Sequence, residues 1–235
     1  LGIGGGTVIV PALALHLGRS LPHAVGTSLA TIVFTSISSI RTHHQHGAVR
    51  WDLFRPMTVG IVVGAVLGAW TAAMLSGPVL ETIIGVFVIL VALKMILEVN
   101  PKPGRDVPGT TGLGAAGGII GWASAIFGIG GGTLTVPYLS WCNVKMQQAV
   151  ATSAACGFPI AIAGALANVW TGWQDPHLPE LSLGFIYLPA LVGVVATSVF
   201  FARIGAGLAH RLDGRLLKRI FAIMLVLVGL RFLLS

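Results

Sequence analysis

Gly2-Ile3-Gly4-Gly5-Gly6-Thr7 opens the chain and returns as Gly128-Ile129-Gly130-Gly131-Gly132-Thr133, an offset of 126 residues from position 2 to position 128. Val10-Pro11 returns as Val136-Pro137 in the same register. Ala24-Val25-Gly26-Thr27-Ser28 is echoed by Ala149-Val150-Ala151-Thr152-Ser153, one residue closer, and Pro56 and Gly60 match Pro189 and Gly193 more loosely. Six identities in order with a proline in step are poorly explained by chance. A duplicated half-chain is a common signature of transporter folds.

The text between the blocks is written for lipid. The 235 residues are 55% hydrophobic and 9% charged, with a mean hydropathy of +0.91. A soluble domain has about 25% charged residues. So few charges cannot cover a soluble surface, and lipid removes that requirement. A spanning helix needs about 20 mostly apolar residues. Such runs occupy 24–40, 56–80, 82–97, 107–144, 146–174, 181–202 and 216–235, with Lys94 near the end of its run, where it can snorkel. The expectation is an all-α integral membrane protein, a polytopic bundle of two repeats with broken or re-entrant glycine segments. Residues 1–100 form the first repeat, 101–110 a linker with Pro101, Pro103, Gly104 and Pro108, and 111–235 the second repeat. Leu1 falls inside the motif, so the chain is expected to lack its true start.

The net charge of +7 comes from basic residues in short loops between apolar runs, which disfavours nucleic acid as a partner. The bilayer is the expected partner, and a homo-oligomer is compatible with the sequence. Arg41, Arg50 and Arg55 mark one basic loop, and Arg203, Arg211, Arg215, Lys218 and Arg219 another. Lys102 and Arg105 lie in the linker, whereas 172–180 has Asp175 and Glu180 and no Lys or Arg. Both basic loops are cytoplasmic if the second glycine segment, within 107–144, makes no net crossing. The repeats are then inverted; a simple eight-crossing arrangement is the alternative. Cys142 and Cys156 are too few for a disulfide framework, and no pairing is expected.

A glycine run propagates a helix poorly, at about 1 kcal/mol per Gly relative to Ala. Broken backbone in a membrane must line a cavity or be buried in protein. One reading is therefore a discontinuous helix whose freed amides at Gly4, Gly5, Gly6, Thr7 and at Gly130, Gly131, Gly132, Thr133 face an anion. The other is close packing through small residues. Thr27, Ser28, Thr152 and Ser153 are candidate neutral donors to the same anion; alternatively they bond back to helix carbonyls. Thr31, Thr35, Ser36, Ser38 and Ser39 are expected to do only the latter. Arg203 is a candidate for drawing an anion into the pathway, or for snorkelling to the interface.

His43, His44 and His46 cluster between Arg41 and Arg50 with Asp52 nearby. Their spacing is irregular, and a solvated basic loop is the expected reading rather than a metal site. Cys156 is expected to be a small packing residue. The glycine blocks lack the preceding strand of a dinucleotide fold and the Lys-Ser/Thr ending of a P-loop. No cofactor, and no ATP-driven pump within this chain, is expected.

On 2–11, 24–30, 128–137, 149–155, 184–190 and 205–212, nearly the whole chain resembles the sulfite exporter TauE/SafE family. The resemblance implies export of sulfite, of sulfonates such as sulfoacetate, or of related sulfur-containing anions, driven by the proton gradient, in a bacterial inner membrane. Family members often carry V-D-W where this chain has Val49-Arg50-Trp51-Asp52, and Arg203 stands where a neutral residue is usual. The competing readings are an intramembrane enzyme built on His43, His44, His46 and Asp52, and a membrane scaffold without a substrate.

Overall fold

The computed structural model describes residues 6–16, 21–97, 104, 106–173, 175–176, 178–198 and 214–234. Its helices are α1 (Gly6–His16), α2 (Leu21–Gln45), α3 (Trp51–Met74), α4 (Gly77–Ile96), α5 (Thr110–Phe127), α6 (Gly132–Trp141), α7 (Met146–Gly172), α8 (Leu188–Ser198) and α9 (Gly214–Leu234). A two-residue antiparallel hairpin, β1 (Ser182–Leu183) and β2 (Ile186–Tyr187), precedes α8. Five helices, α2, α3, α4, α5 and α7, are long and apolar enough to cross a membrane. The chain is an all-α polytopic membrane protein.

The expected run 107–144 is one spanning helix and one half-length helix. α5 stops at Phe127, and Gly128 takes the left-handed conformation at φ 64°. The Gly128 amide donates to the Ala125 carbonyl at 3.4 Å and the Ile129 amide to the Ser124 carbonyl at 3.0 Å, the Schellman pattern that closes a helix. α6 then begins at Gly132 and has 10 residues, about 15 Å, half of a bilayer's hydrocarbon core. The run 181–202 also departs from a single helix. Leu181 and Gly184 have φ 62° and 54°, so the chain turns back on itself before Pro189 opens α8.

α2 and α7, the long helices that carry the two hydroxyl pairs, pack on each other at the centre. Buried residues make up 61% of α2's apolar window and 72% of α7's, against 33% for α4. α3 leans on α5 and α7, α4 on α9, α1 on α2 and α6 on α7. The α3–α5 seam is backbone against backbone. Gly60, Gly64 and Gly68 of α3 face Gly114, Gly118 and Trp122 of α5, while Gly117 and Gly121 of α5 face Met57 and Ile61. This is the small-residue stripe of membrane helix pairs, where close approach replaces the hydrophobic drive that lipid removes. The apolar side chains that remain exposed, Val59, Val63, Trp70, Leu90 and Trp170 among them, form the lipid-facing coat.

Candidate functional site

No Asp, Glu, Lys or Arg is buried among the residues whose side chains are described. The buried polar side chains are hydroxyls, Asn168 and His23. The centre is polar through neutral groups, and several of the hydroxyls bond backbone across the two repeats. Ser28 Oγ donates to the Gly128 carbonyl at 2.7 Å, gripping the left-handed turn from the other half of the chain. Thr152 Oγ1 accepts from the Arg50 amide at 3.0 Å, the reciprocal contact from the second half to the first. Thr27 Oγ1 accepts from the Tyr187 amide at 2.9 Å and so holds the hairpin. Each of these bonds supplies a partner to a backbone group whose orphaning in a dry interior costs about 1–3 kcal/mol.

The two glycine blocks meet. A Cβ on Gly6 would lie on the Gly128 carbonyl and within 2.7 Å of Ile129 Cα, so glycine is required for that approach. Thr7, beside it, is buried. Gly4, Gly5 and Arg203 lie outside the described residues.

The second block opens onto a cavity of about 330 Å³. Gly130, Gly131 and Gly132 form one wall, Val150, Ser153 and Gly157 of α7 another, and Ser36, Ser39 and His43 lie on the α2 side. The volume suits a small ligand, at the low end of the usual range for binding pockets. The α6 N-terminus supplies its first amides, which have no intrahelical acceptor, and the positive end of its dipole. Ser153 Oγ, now donating to the Val150 carbonyl at 3.1 Å, can rotate. Of the sequence candidates, Gly130, Gly131, Gly132 and Ser153 line the cavity; Thr133 sits in the first turn of α6, and Thr27, Ser28 and Thr152 hold backbone instead.

Two readings of single residues change. Thr31 and Thr35 do bond back, to Thr27 at 2.9 Å and to Ile32 at 3.2 Å, yet Thr35, Ser36 and Ser39 also line the cavity. His43 is not in a loop, because α2 runs on to Gln45 past Arg41. The helical spacing that would have found it is 36, 39, 43, one face of one helix. The neighbouring polar groups go elsewhere. His44 meets Trp51 edge to face at 5.6 Å, His46 Nδ1 lies 2.7 Å from the Thr42 carbonyl, and Arg50 binds Asp52 through two contacts of 2.8 and 2.6 Å. Those bonds push the Arg50 guanidinium above its ordinary pKa.

The chain is 36% identical to a probable membrane transporter protein of Haemophilus influenzae, covering 100% of this chain and 92% of the relative. It is 26% identical to the probable membrane transporter protein YunE of Bacillus subtilis, with 97% and 89% covered. A third relative, the probable membrane transporter protein MJ0441 of Methanocaldococcus jannaschii, is 25% identical, with 99% and 89% covered. No solved structure matches the chain. The family described as sulfite exporter TauE/SafE matches residues 1–232, so this multi-pass membrane protein belongs to the TauE/SafE family of membrane transporters.

Proposed function

We propose that this chain is a secondary transporter that exports a small sulfur-containing anion, sulfite or an organosulfonate such as sulfoacetate, across a bacterial cell membrane at the expense of an ion gradient. The observation that carries the reading is the cavity of about 330 Å³ bounded by Gly130–Gly132, Ser153 and the hydroxyl face of α2. Oxyanion oxygens accept hydrogen bonds, and amides and hydroxyls are donors that carry no net charge. Such donors hold an anion through several bonds of about 1.5–3 kcal/mol each without the full charge pairing that would prevent release. Gly6 packs on the glycine turn and Ser28 bonds it, Thr27 and Thr152 hold the Tyr187 and Arg50 amides, and Gly4, Gly5 and Thr7 stay candidate donors, with Arg203 the candidate that draws the anion in. The enzyme reading would need His43, His44, His46 and Asp52 to converge, but His44, His46 and Asp52 are held by Trp51, Thr42 and Arg50.

The test is flux through liposomes that contain this protein alone. Loaded sulfite and methanesulfonate should leave faster than from protein-free vesicles, and an imposed pH or ion gradient should change the rate. Flux equal to that of protein-free vesicles under every gradient would leave the scaffold reading in its place.

A further inference from the structure

His43 is the one side chain lining the cavity, among the described residues, that can carry a charge. It lies in the last turn of α2, one turn beyond Ser39 and about 10 Å along the axis from Ser36, at the end of a polar stripe. Its neighbours in sequence are engaged elsewhere, His44 against Trp51 and His46 at the Thr42 carbonyl. Resting on the cavity reading above, we propose that His43 is the protonatable partner of the bound anion, so that the cavity takes up the anion together with a proton held on the imidazole.

Electrostatics favours this placement. An anion leaving water for a cavity of neutral donors loses solvation that hydrogen bonds restore only in part. α2 ends beside the same cavity, and the negative end of its dipole opposes an anion and favours a cation. An imidazolium there offsets both effects, and loss of its proton removes the offset and lets the anion go. A fixed guanidinium would not release in this way. Imidazole is the side chain that ordinarily changes charge between about pH 5 and 8.

α7 has no ionised residue within it and Lys145 just before it; α5 and α6 hold no Asp, Glu, Lys, Arg or His; α1 ends at His16. α4 carries Glu81 and Lys94, and β2 carries Tyr187. α2 itself adds His23 at its far end and Arg41 and His44 beside His43, followed by His46 and the Arg50–Asp52 pair. The Lys and Arg side chains in this set also attract an anion, and these residue types do not ordinarily change charge near neutral pH. The pH dependence near neutrality falls to the histidines, of which His43 faces the cavity.

The sign follows from linkage. If the protonated form binds the anion more tightly, anion binding raises proton uptake by the same factor, and affinity falls as pH rises through the imidazole range. Methanesulfonate is the probe, because it stays ionised where sulfite itself titrates. With purified protein, wild type should bind it about ten-fold more tightly at about pH 6 than at about pH 8. Calorimetry in buffers of different ionisation heat should show net proton uptake on binding near neutral pH, a readout that needs no variant. His43→Gln should bind weakly at both pH values, and His43→Lys should bind without pH dependence. His44→Gln and His46→Gln should keep the wild-type profile. Tight wild-type binding with no proton uptake, or a His43→Gln protein that keeps the wild-type pH profile, overturns the role of His43 and leaves the cavity reading standing. Wild-type protein that binds neither methanesulfonate nor sulfite at either pH overturns both.

Discussion

Gly128 and Gly131 are three residues apart in one motif, yet alanine should have opposite consequences at the two. Gly128 has φ 64°, where an L-residue costs about 1–2 kcal/mol. Its Cβ would also meet Val10 Cγ2 at 2.7 Å and Val25 Cα at 3.0 Å, and the second of these is backbone of α2. Overpacking of that kind costs about 1–3 kcal/mol. The sum, about 2–5 kcal/mol, is a large share of the roughly 5–15 kcal/mol that hold a domain folded. Gly131 has φ −54°, which alanine adopts freely. Its Cβ would meet the Ser153 carbonyl at 3.1 Å, Thr135 Oγ1 at 3.1 Å and the Gly157 amide nitrogen at 3.3 Å, so α6 needs to yield only a few tenths of an ångström. Thermal unfolding in detergent should place Gly128→Ala roughly 5–20 °C below wild type and Gly131→Ala within about 4 °C. Gly131→Ala should instead weaken methanesulfonate binding, because the added carbon enters the gap between the glycine turn and α7. A Gly128→Ala protein as stable as wild type would falsify this account of the turn. Equal losses of stability in both variants would refute the division between them.

Ser153→Ala removes a hydroxyl that can turn toward the cavity, and anion affinity should fall about ten-fold with the fold retained; affinity equal to wild type counts against Ser153 as a ligand. Gly64→Leu places a Cβ on the Gly118 carbonyl of α5 and should abolish the monodisperse peak in size exclusion, whereas Val63→Leu, which faces lipid, should leave it intact. If the repeats are inverted with both basic loops cytoplasmic, single cysteines at 47 and 214 should react with an impermeant reagent from the same side. Labelling from opposite sides rejects the inversion.

The parts of this fold legible in the sequence were those that repeat. The glycine blocks announced a break in α5–α6, and Gly128 and the short α6 supply it. The duplicated Thr-Ser pairs lie on α2 and α7, the two central helices. What stayed hidden depends on which face a residue presents. Gly60, Gly64 and Gly68 recur every four residues, a spacing that suits close helix packing, but the sequence does not say that α5 is the helix they face. His43 lies beyond Arg41, where the hydropathy pattern breaks, although α2 continues four residues further. Thr27 and Ser28 look equivalent to Thr152 and Ser153 on paper. Only tertiary contact separates Ser28, bonded to the Gly128 carbonyl, from Ser153, which lines the cavity. The hairpin at Ser182–Tyr187 turns at Gly184, φ 54°, between strands of two residues each, too short for an alternating pattern to mark them in an apolar run.

That asymmetry between equivalent positions bears on how a duplicated chain builds one site. Two identical glycine turns facing one another would present two sets of amides and compete for one anion. Here Gly6 of the first block is driven against the Gly128 carbonyl of the second, so closely that Gly6 admits no side chain, while Val10 and Val25 close the space beside Gly128. Gly130–Gly132, just beyond the contact, remain open to the cavity. The hydroxyl pairs divide in the same manner: Ser28 fixes the turn that Ser153 accompanies. Ser28 reaches into the second repeat and Thr152 reaches back to Arg50 in the first. Loss of either half leaves buried polar groups of the other without partners, and each such group costs about 1–3 kcal/mol. The bonds that hold the glycine turn and the start of α3 therefore belong to neither half alone, and the two halves depend on each other for folding.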